Sequence, residues 1–206
     1  MARFYLNQGI QLQKSGQFEA AIQYYKRSIK VNPKFFPAVF DMGLSYSRLG
    51  NYKKALSMFT ESTKLRSDFP PSYCELGLTY ARMKNYPKAL QNLTRAIQLN
   101  PKYAEAYLNT GVVFEQEHHN KKALLNYNKA IQLNPHSARC FVDRGYVYMK
   151  IKKYHAAVRD FHKAIQINPK SALAFKGLGK AYTALGEQTK AQFAYKKAEM
   201  LKQKSQ

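Results

Sequence analysis

The sequence predicts an all-α fold built from six tandem helical hairpins, and three observations lead to this prediction. Nearly identical segments, AIQLNPK at 96–102, AIQLNPH at 130–136 and AIQINPK at 164–170, follow one another at intervals of 34 residues. Written in rows of 34 from Ala2, the chain fills six rows without insertion or deletion. Small and aromatic residues recur in the same columns of those rows, as they do in stacked repeats.

The spacing within one row predicts two short helices. In the fourth row Tyr107, Gly111 and Phe114 are separated by four and three residues, which places them on one face of a first helix. The segment 123–130 shows the same spacing for a second helix. The glycine column of the first helices contains Gly9, Gly43, Gly77, Gly111, Gly145 and Gly179. Because glycine inside a helix costs about 1 kcal/mol relative to alanine, this column indicates a close approach of the two helices.

Turns and corners separate these helices in every row. His118–Asn120 forms the turn inside the fourth row, and Asn134-Pro135 ends its second helix, because proline disfavours helical backbone at the preceding residue. The second row has Arg66 in place of this break, and Pro70-Pro71 follows slightly later. We therefore expect a locally altered corner there, with the prolines in the first turn of the next helix.

These spacings and columns resemble the tetratricopeptide repeat (TPR) family over residues 2–205. The resemblance implies a single right-handed α-α superhelical solenoid with a concave groove lined by the first helices. Its six helix-turn-helix repeats would span 2–35, 36–69, 70–103, 104–137, 138–171 and 172–205. It also implies a protein that binds other proteins and performs no chemistry. Gln8 and Arg144 depart from the family pattern, because they occupy a usually apolar column, so looser packing is expected in those two repeats.

The motif content points away from enzymes. There is no phosphate-binding loop, dinucleotide fingerprint or nucleophile motif, and the histidines lack thiolate or carboxylate partners at metal-ligand spacing. We therefore predict no catalytic activity, no metal and no cofactor. Cys74 and Cys140 are far apart and are expected to be reduced, which favours an intracellular, cytoplasmic protein. No apolar run approaches the roughly 20 residues that span a bilayer.

A second apolar stripe on the first helices raises two possibilities. An acidic and amide column, Asp41, Glu75, Asn109 and Asp143, runs beside it. The stripe either packs neighbouring first helices together or forms an apolar groove for a partner's helix or extended peptide, and the two are partly compatible. We call the stripe and its polar flank the groove set: Leu6, Ile10, Phe40, Asp41, Leu44, Cys74, Glu75, Leu78, Leu108, Asn109, Val112, Val142, Asp143 and Tyr146.

One mode of binding known for this family fits poorly. Some members clamp the C-terminal carboxylate of a partner with Lys, Asn and Arg side chains. Asn109 and Arg139 match two positions of that set, but Asp143 stands where an arginine is needed, and Cys74 and Leu78 replace the first Lys and Asn. An acidic residue at that place would repel a carboxylate, so this mode is disfavoured.

The charge suggests an alternative partner. The chain has 34 Lys and Arg residues against 12 Asp and Glu, a net charge of +22. A basic ridge is expected where lysines gather at the turns and at the start of the second helices. This lysine edge comprises Lys53, Lys54, Lys84, Lys88, Lys121, Lys122, Lys152, Lys153 and Lys190. It either serves solubility or docks on a polyanion, such as RNA, a ribonucleoprotein or an acidic cytoskeletal surface.

The last row lacks a polar capping helix, so Phe193 and Met200 are expected to be exposed. Either further chain or another subunit would then cover this end. The leading hypothesis is therefore a protein-protein interaction scaffold within a larger assembly, and the alternative is a basic solenoid that docks on a polyanion.

Overall fold

The computed structural model describes residues 1–203, in which helices follow one another in consecutive pairs without an intervening strand. Positions 204 and 205 of the last predicted repeat lie outside this range. Every first helix begins at the first position of its predicted repeat and has the same length, which confirms the all-α fold and its register. The helices are α1 (Ala2–Lys14), α2 (Phe18–Val31), α3 (Phe36–Arg48), α4 (Tyr52–Leu65), α5 (Pro70–Arg82), α6 (Tyr86–Leu99), α7 (Ala104–Gln116), α8 (Asn120–Leu133), α9 (Ala138–Lys150), α10 (Tyr154–Ile167), α11 (Ala172–Ala184) and α12 (Gln188–Gln203).

The chain divides into two compact units, Met1–Asn109 and Thr110–Gln206, each with its own hydrophobic core. In unit 1 consecutive helices pack together, and α1 also contacts α3, which contacts α5. In unit 2 the corresponding contact joins α9 and α11. First helices therefore stack on first helices within each unit, as in a solenoid. The expectation of one domain over 2–205 stays a prediction.

The two helices of a hairpin meet where a first-helix glycine faces a large second-helix side chain, which is an aromatic ring in five repeats and Leu93 in the third. A Cβ atom on Gly111 would lie 2.6 Å from Cε1 of Tyr127, and the Tyr127 side chain is completely buried. Ala123 and Ala130, one turn away on either side, are also fully buried. The ring thus occupies the space that a side chain at 111 would need, which is the close approach that the glycine column predicts.

A left-handed residue closes the turn inside each hairpin. The residue after it donates a backbone hydrogen bond to the carbonyl five residues earlier, for example from Asn85 to Tyr80 at 2.9 Å, as in a Schellman motif. The residues with positive φ at this column are Gly16, Gly50, Lys84, His118, Lys152 and Gly186. Half of the turns therefore place a side chain where glycine is preferred, at a cost of about 1–2 kcal/mol each.

The corner after the second repeat keeps the backbone of the other corners. Arg66 has φ −141° and ψ 90°, almost the same as Asn100 with φ −142° and ψ 96°. The expectation of an altered corner is therefore wrong for the backbone, although Pro70 and Pro71 do occupy the first turn of α5. The Arg66 guanidinium lies over the ring of Phe69 at 5.1 Å, so side-chain contacts replace the Asn-Pro sequence.

Arg144 is accommodated in the fifth repeat by an ion pair. Its guanidinium donates two hydrogen bonds to the Asp160 carboxylate, at 2.7 and 2.8 Å, and a third to Asn128 Oδ1 at 2.7 Å. The ring centres of Phe141 and Tyr148 lie 5.6 and 5.8 Å from the same guanidinium. The looser packing expected at this position is therefore not found, because both charges are paired and the guanidinium is enclosed.

Replacing a left-handed lysine with glycine should stabilise the protein. We expect Lys84→Gly and Lys152→Gly each to raise the free energy of unfolding by about 0.5–1 kcal/mol, because glycine adopts positive φ without steric cost. Lys26→Gly in the interior of α2 is the matched control and should lower it by about 1 kcal/mol. Urea unfolding followed by circular dichroism measures all three, and a loss of stability at 84 and 152 would contradict the argument.

Breaking the Arg144–Asp160 pair should be far more damaging than replacing it. Asp160→Met or Arg144→Met alone leaves one charge enclosed without its partner and should cost about 3–5 kcal/mol. The double variant installs the Met42 and Met58 pair that occupies the same two columns in the second repeat. We expect it to lie within about 1 kcal/mol of the wild type in a double-mutant cycle. Additive losses would show that the two residues act independently.

Candidate partner-binding site

The structure places the groove set at different depths, and none of its members is exposed. The buried members are Leu6, Cys74, Leu108, Asn109 and Val142. The half-buried members are Ile10, Phe40, Asp41, Leu44, Glu75, Leu78, Val112, Asp143 and Tyr146. A partner can reach the half-buried residues without a rearrangement, whereas the buried ones serve the core.

Several residues of the apolar stripe contact the core of unit 1, which supports the interpretation that part of the stripe serves packing. Leu6 belongs to the core of unit 1, and Ile10 and Leu44 pack against that core. The Phe40 ring meets Phe69 edge to face, with ring centroids 5.5 Å apart. Part of the stripe therefore serves packing in unit 1, although its half-buried members keep some accessible surface.

Asp41 in unit 1 is a half-buried carboxylate on the first-helix face. No ion pair or side-chain hydrogen bond to it occurs within residues 1–203. Burial raises the pKa of Asp41 to about 6, and the pKa of the Tyr25 phenol is raised mainly by burial and further by the charge of Asp41. The ionised carboxylate therefore lowers the stability of the free protein.

Asp143 holds the corresponding position in unit 2. Its pKa is also raised to about 6, mainly by burial and further by the charge of Glu115, although Arg139 opposes this shift. Arg139 Nε lies 3.5 Å from the Asp143 carboxylate but is itself more than half exposed. The pair is therefore incomplete, and the carboxylate retains capacity to accept hydrogen bonds.

A hydrogen-bonded cluster lies beside Asp143 and was not predicted from the sequence. Glu115 accepts a hydrogen bond from Lys150 Nζ at 2.6 Å and another from the Tyr127 hydroxyl at 2.8 Å. In unit 1 Arg82 donates to Ser47 Oγ at 2.6 Å, across the same sequence interval as the Lys150–Glu115 contact. A search for complementary residues one repeat plus one position apart would have found both pairs.

The amide and thiol of the groove set are sequestered in unit 1. Asn109 Nδ2 donates to Cys74 Sγ at 3.2 Å, and Asn109 Oδ1 has no hydrogen-bond partner in the described range. Burial raises the pKa of the Cys74 thiol to about 12, so it stays protonated. Cys74 and Cys140 are both free and buried. Because Asn109 is only 1% exposed, it does not offer its amide to a carboxylate, which further disfavours a carboxylate clamp.

Every residue of the lysine edge is exposed. Four of them lie above an aromatic ring of the preceding first helix, at 5.3 to 5.6 Å from the ring centre: Lys54 over Tyr46, Lys88 over Tyr80, Lys122 over Phe114 and Lys190 over Tyr182. These contacts are cation–π interactions that tie the start of four second helices, α4, α6, α8 and α12, to the first helix of the same hairpin. Part of the lysine edge therefore has a role in packing.

Two other kinds of site are not supported. Among residues 1–203 no group of three His, Cys, Asp or Glu side chains is placed to hold a metal ion. Within the same range no helix has both the length and the apolar character to cross a bilayer.

Comparisons with known proteins agree with this architecture. The sequence profile of the tetratricopeptide repeat protein 21 C-terminal ARM domain matches residues 8–173, and a tetratricopeptide repeat profile matches residues 177–205. No curated protein matches the chain significantly in sequence.

Several solved structures share the fold. One is from the APC/C hetero-tetramer Cut9-Hcn1, with 20% identity and a TM-score of 0.88 over 97% of this chain. This chain spans 40% of that one. A thermophilic TPR protein of Thermus thermophilus has 23% identity and a TM-score of 0.75, covering 90% of this chain and 99% of that one. YrrB, described as a TPR protein with an unusual peptide-binding site, has 26% identity and a TM-score of 0.58, covering 82% and 88%.

Removing the charge of Asp41 should stabilise the free protein in a pH-dependent way. Because the folded-state pKa is about 6, above the ordinary value, the wild type loses stability as the pH rises from about 4 to 6. The free energy of unfolding of Asp41→Asn should therefore be about 1–2 kcal/mol higher than that of the wild type at pH 7, and the difference should disappear below about pH 4.

Chemical denaturation across this pH range measures the effect. Asp68→Asn is the matched control, since the Asp68 side chain is 75% exposed, and it should change stability by less than about 0.5 kcal/mol. If Asp41→Asn destabilised the protein at pH 7, the carboxylate would have an unseen stabilising role.

Proposed function

The chain belongs to the family of the tetratricopeptide repeat protein 21 C-terminal ARM domain, and on that premise we propose that it is a non-enzymatic scaffold that binds a helix or extended peptide of another protein along its first helices. Its fold is typical of protein-interaction scaffolds and of subunits of complexes. Two of the similar structures, a chain of the Cut9-Hcn1 hetero-tetramer and YrrB with its peptide-binding site, support this class of function. The proposal includes residence in a larger, intracellular assembly.

The observation that carries the proposal is a pair of incompletely paired carboxylates on the first-helix face. Asp41 in unit 1 and Asp143 in unit 2 are half-buried and carry raised pKa values, so each destabilises the free protein when ionised. Groups that cost stability in the free protein are concentrated at functional sites, where a ligand compensates them. A donor from a partner would supply the missing hydrogen bonds.

The surroundings of these carboxylates suggest what the partner presents. Leu44 lies one turn after Asp41, and Tyr146 lies three residues after Asp143, and both are half-buried. At either carboxylate, a partner segment that offers a backbone N–H, Lys or Arg donor and an apolar side chain beside it would match this pattern. Binding should then require the ionised carboxylates and weaken below about pH 6.

Docking of the lysine edge on a polyanion is a second candidate function. It is favoured by the exposure of every lysine in the edge. Five of them, Lys53, Lys84, Lys121, Lys152 and Lys153, take no part in the cation–π contacts of the other four. This mode depends on phosphate or carboxylate charge, so it should weaken steeply with salt, whereas an apolar groove should respond little.

Site-specific crosslinking separates these functions. A diazirine-bearing residue at position 44 on α3 should capture a defined partner protein in cells, and the same residue at position 57, exposed on α4, is the matched control. Adding Asp41→Asn should reduce capture at 44 by about tenfold, because a hydrogen bond to a charged group is lost. Adducts are identified by mass spectrometry.

Substitutions in the lysine edge test polyanion docking in the same crosslinking experiment. Reversing Lys53, Lys121 and Lys152 to Glu should leave capture at position 44 unchanged, and so should nuclease treatment. If instead the lysine reversal or nuclease removed every adduct while Asp41→Asn had no effect, the groove proposal would fail and polyanion docking would replace it.

A further inference from the structure

A separate cavity lies in unit 2, on the side of the second helices. It has a volume of about 400 Å³ and opens between α10 and α12, with α11 beneath it. Phe175, Leu178 and Ala194 form apolar walls, and Tyr182 closes one side. Phe193 stands at its edge with 70% of its surface exposed. This volume falls within the range of about 300–1,000 Å³ that is typical of binding pockets.

The repeat register explains why this space is open. One repeat earlier, the columns of Leu178 and Ala194 hold Arg144 and Asp160, and the Arg144 guanidinium lies there against two aromatic rings. The sixth repeat keeps the aromatic rings but replaces the long side chains with shorter ones. Ala194 is the smallest residue of its column, whose other members are Tyr24, Met58, Asn92, Asn126 and Asp160. A smaller cavity of about 290 Å³ lies at the corresponding place between α2 and α4, with Lys26 and Tyr46 in the columns of His162 and Tyr182, so the size of the cavity beside Ala194, rather than its presence, distinguishes the sixth repeat.

The rim of the cavity is cationic. Lys190 is exposed over the Tyr182 ring and pairs with Glu187, and His162 Nε2 lies 2.9 Å from the Tyr182 hydroxyl. Arg159 precedes His162 by three residues on α10 and is exposed on the same side of that helix. Lys197 is exposed two turns beyond Lys190 on α12.

The net charge of unit 2 has the same sign as the rim of the cavity. Residues 110–206 contain 18 Lys and Arg against six Asp and Glu. Of these six, Asp160 is already paired with Arg144 and Glu115 with Lys150. A positive field around an apolar pocket attracts negatively charged partners and repels basic ones.

We propose that this outer cavity is a second docking site, which takes a bulky aromatic or branched apolar side chain presented by an acidic segment of another protein. The apolar walls supply the contact area for one anchoring side chain, in the way that buried aromatic anchors dominate interfaces. Lys190, Arg159 and Lys197 receive the flanking carboxylates. The site is independent of the first-helix face, so the two proposals can fail separately.

Two small probes locate the site on the full chain by NMR. 2-Naphthylacetate carries an aromatic ring and a carboxylate, and 2-(2-naphthyl)ethylamine is its cationic counterpart. We expect the acid to give saturable shifts at Phe175, Leu178 and Tyr182 and to bind about tenfold more tightly than the amine. Ala194→Met should abolish these shifts, because the column accepts Met at position 58 and the added side chain fills the cavity.

Two synthetic helical peptides test the class of partner. Both present Phe and Leu four residues apart, one on a Glu-rich and the other on a Lys-rich background. The acidic peptide should bind, and Phe193→Ser should weaken it by about tenfold. Leu125→Ser is the matched control, because Leu125 lies in the same column and is 69% exposed, and it should have little effect. Asp41→Asn should also leave binding unchanged.

Several results would overturn the proposal. These are the absence of saturable binding by either acidic probe, equal binding of acidic and basic probes, or binding that persists in Ala194→Met with an unchanged circular dichroism spectrum. Equal competition by an RNA oligonucleotide that has no apolar anchor would show attraction by charge alone, and would also reject it.

Discussion

The contact between a second-helix side chain and a first-helix glycine is the constraint on which the rest of the structure depends. Tyr127 on Gly111 and Phe161 on Gly145 are examples in unit 2, and each ring is completely buried. This contact sets how closely the two helices of a hairpin approach. Because it recurs in every repeat, the residues of the remaining columns lie at equivalent positions in each repeat. The left-handed turn, the lysine over its aromatic ring and the extended residue at the corner all follow from that register.

Charged groups enter this framework in two different ways. Arg144 and Asp160 form an enclosed pair in which each charge is hydrogen-bonded, so the apolar column tolerates an arginine. Asp41 and Asp143 lie on the first-helix face without complete partners, and burial therefore acts against their ionised forms. The Arg144–Asp160 pair stabilises one repeat. The incompletely paired carboxylates instead fit a scaffold whose partner provides the missing hydrogen-bond donors. The outer cavity is a third feature, which opens beside Leu178 and Ala194, whose columns hold the Arg144–Asp160 pair one repeat earlier.

Much of the fold could be predicted from local spacing, and much of the candidate site could not. The six hairpins, the turn around His118 and the prolines at the start of α5 all lie where their short-range sequence signals indicate. The apolar stripe was ambiguous, because a helix with two apolar faces has the same periodicity whether the second face meets a neighbour or a ligand. The depth of Leu6 and Cys74, as opposed to that of Leu44, depends on how near the adjacent first helix lies. Likewise, the corner at Arg66 was expected to differ because its sequence differs, but Arg66, whose guanidinium lies over the Phe69 ring, has the same backbone conformation as the other corners.

The sequence by itself determined the class of fold, the number and register of the hairpins and the family, because these depend on spacings within a single repeat that recur six times along the chain. Only the tertiary structure decided which side chains remain accessible, that Glu115 pairs with Lys150 and Arg144 with Asp160, and that a cavity opens beside Ala194. The physical reason is that periodicity assigns a residue to a face of its helix, whereas exposure, pairing and pKa depend on the distance to atoms of other helices. Those distances are set by close contacts between side chains whose sizes differ from repeat to repeat.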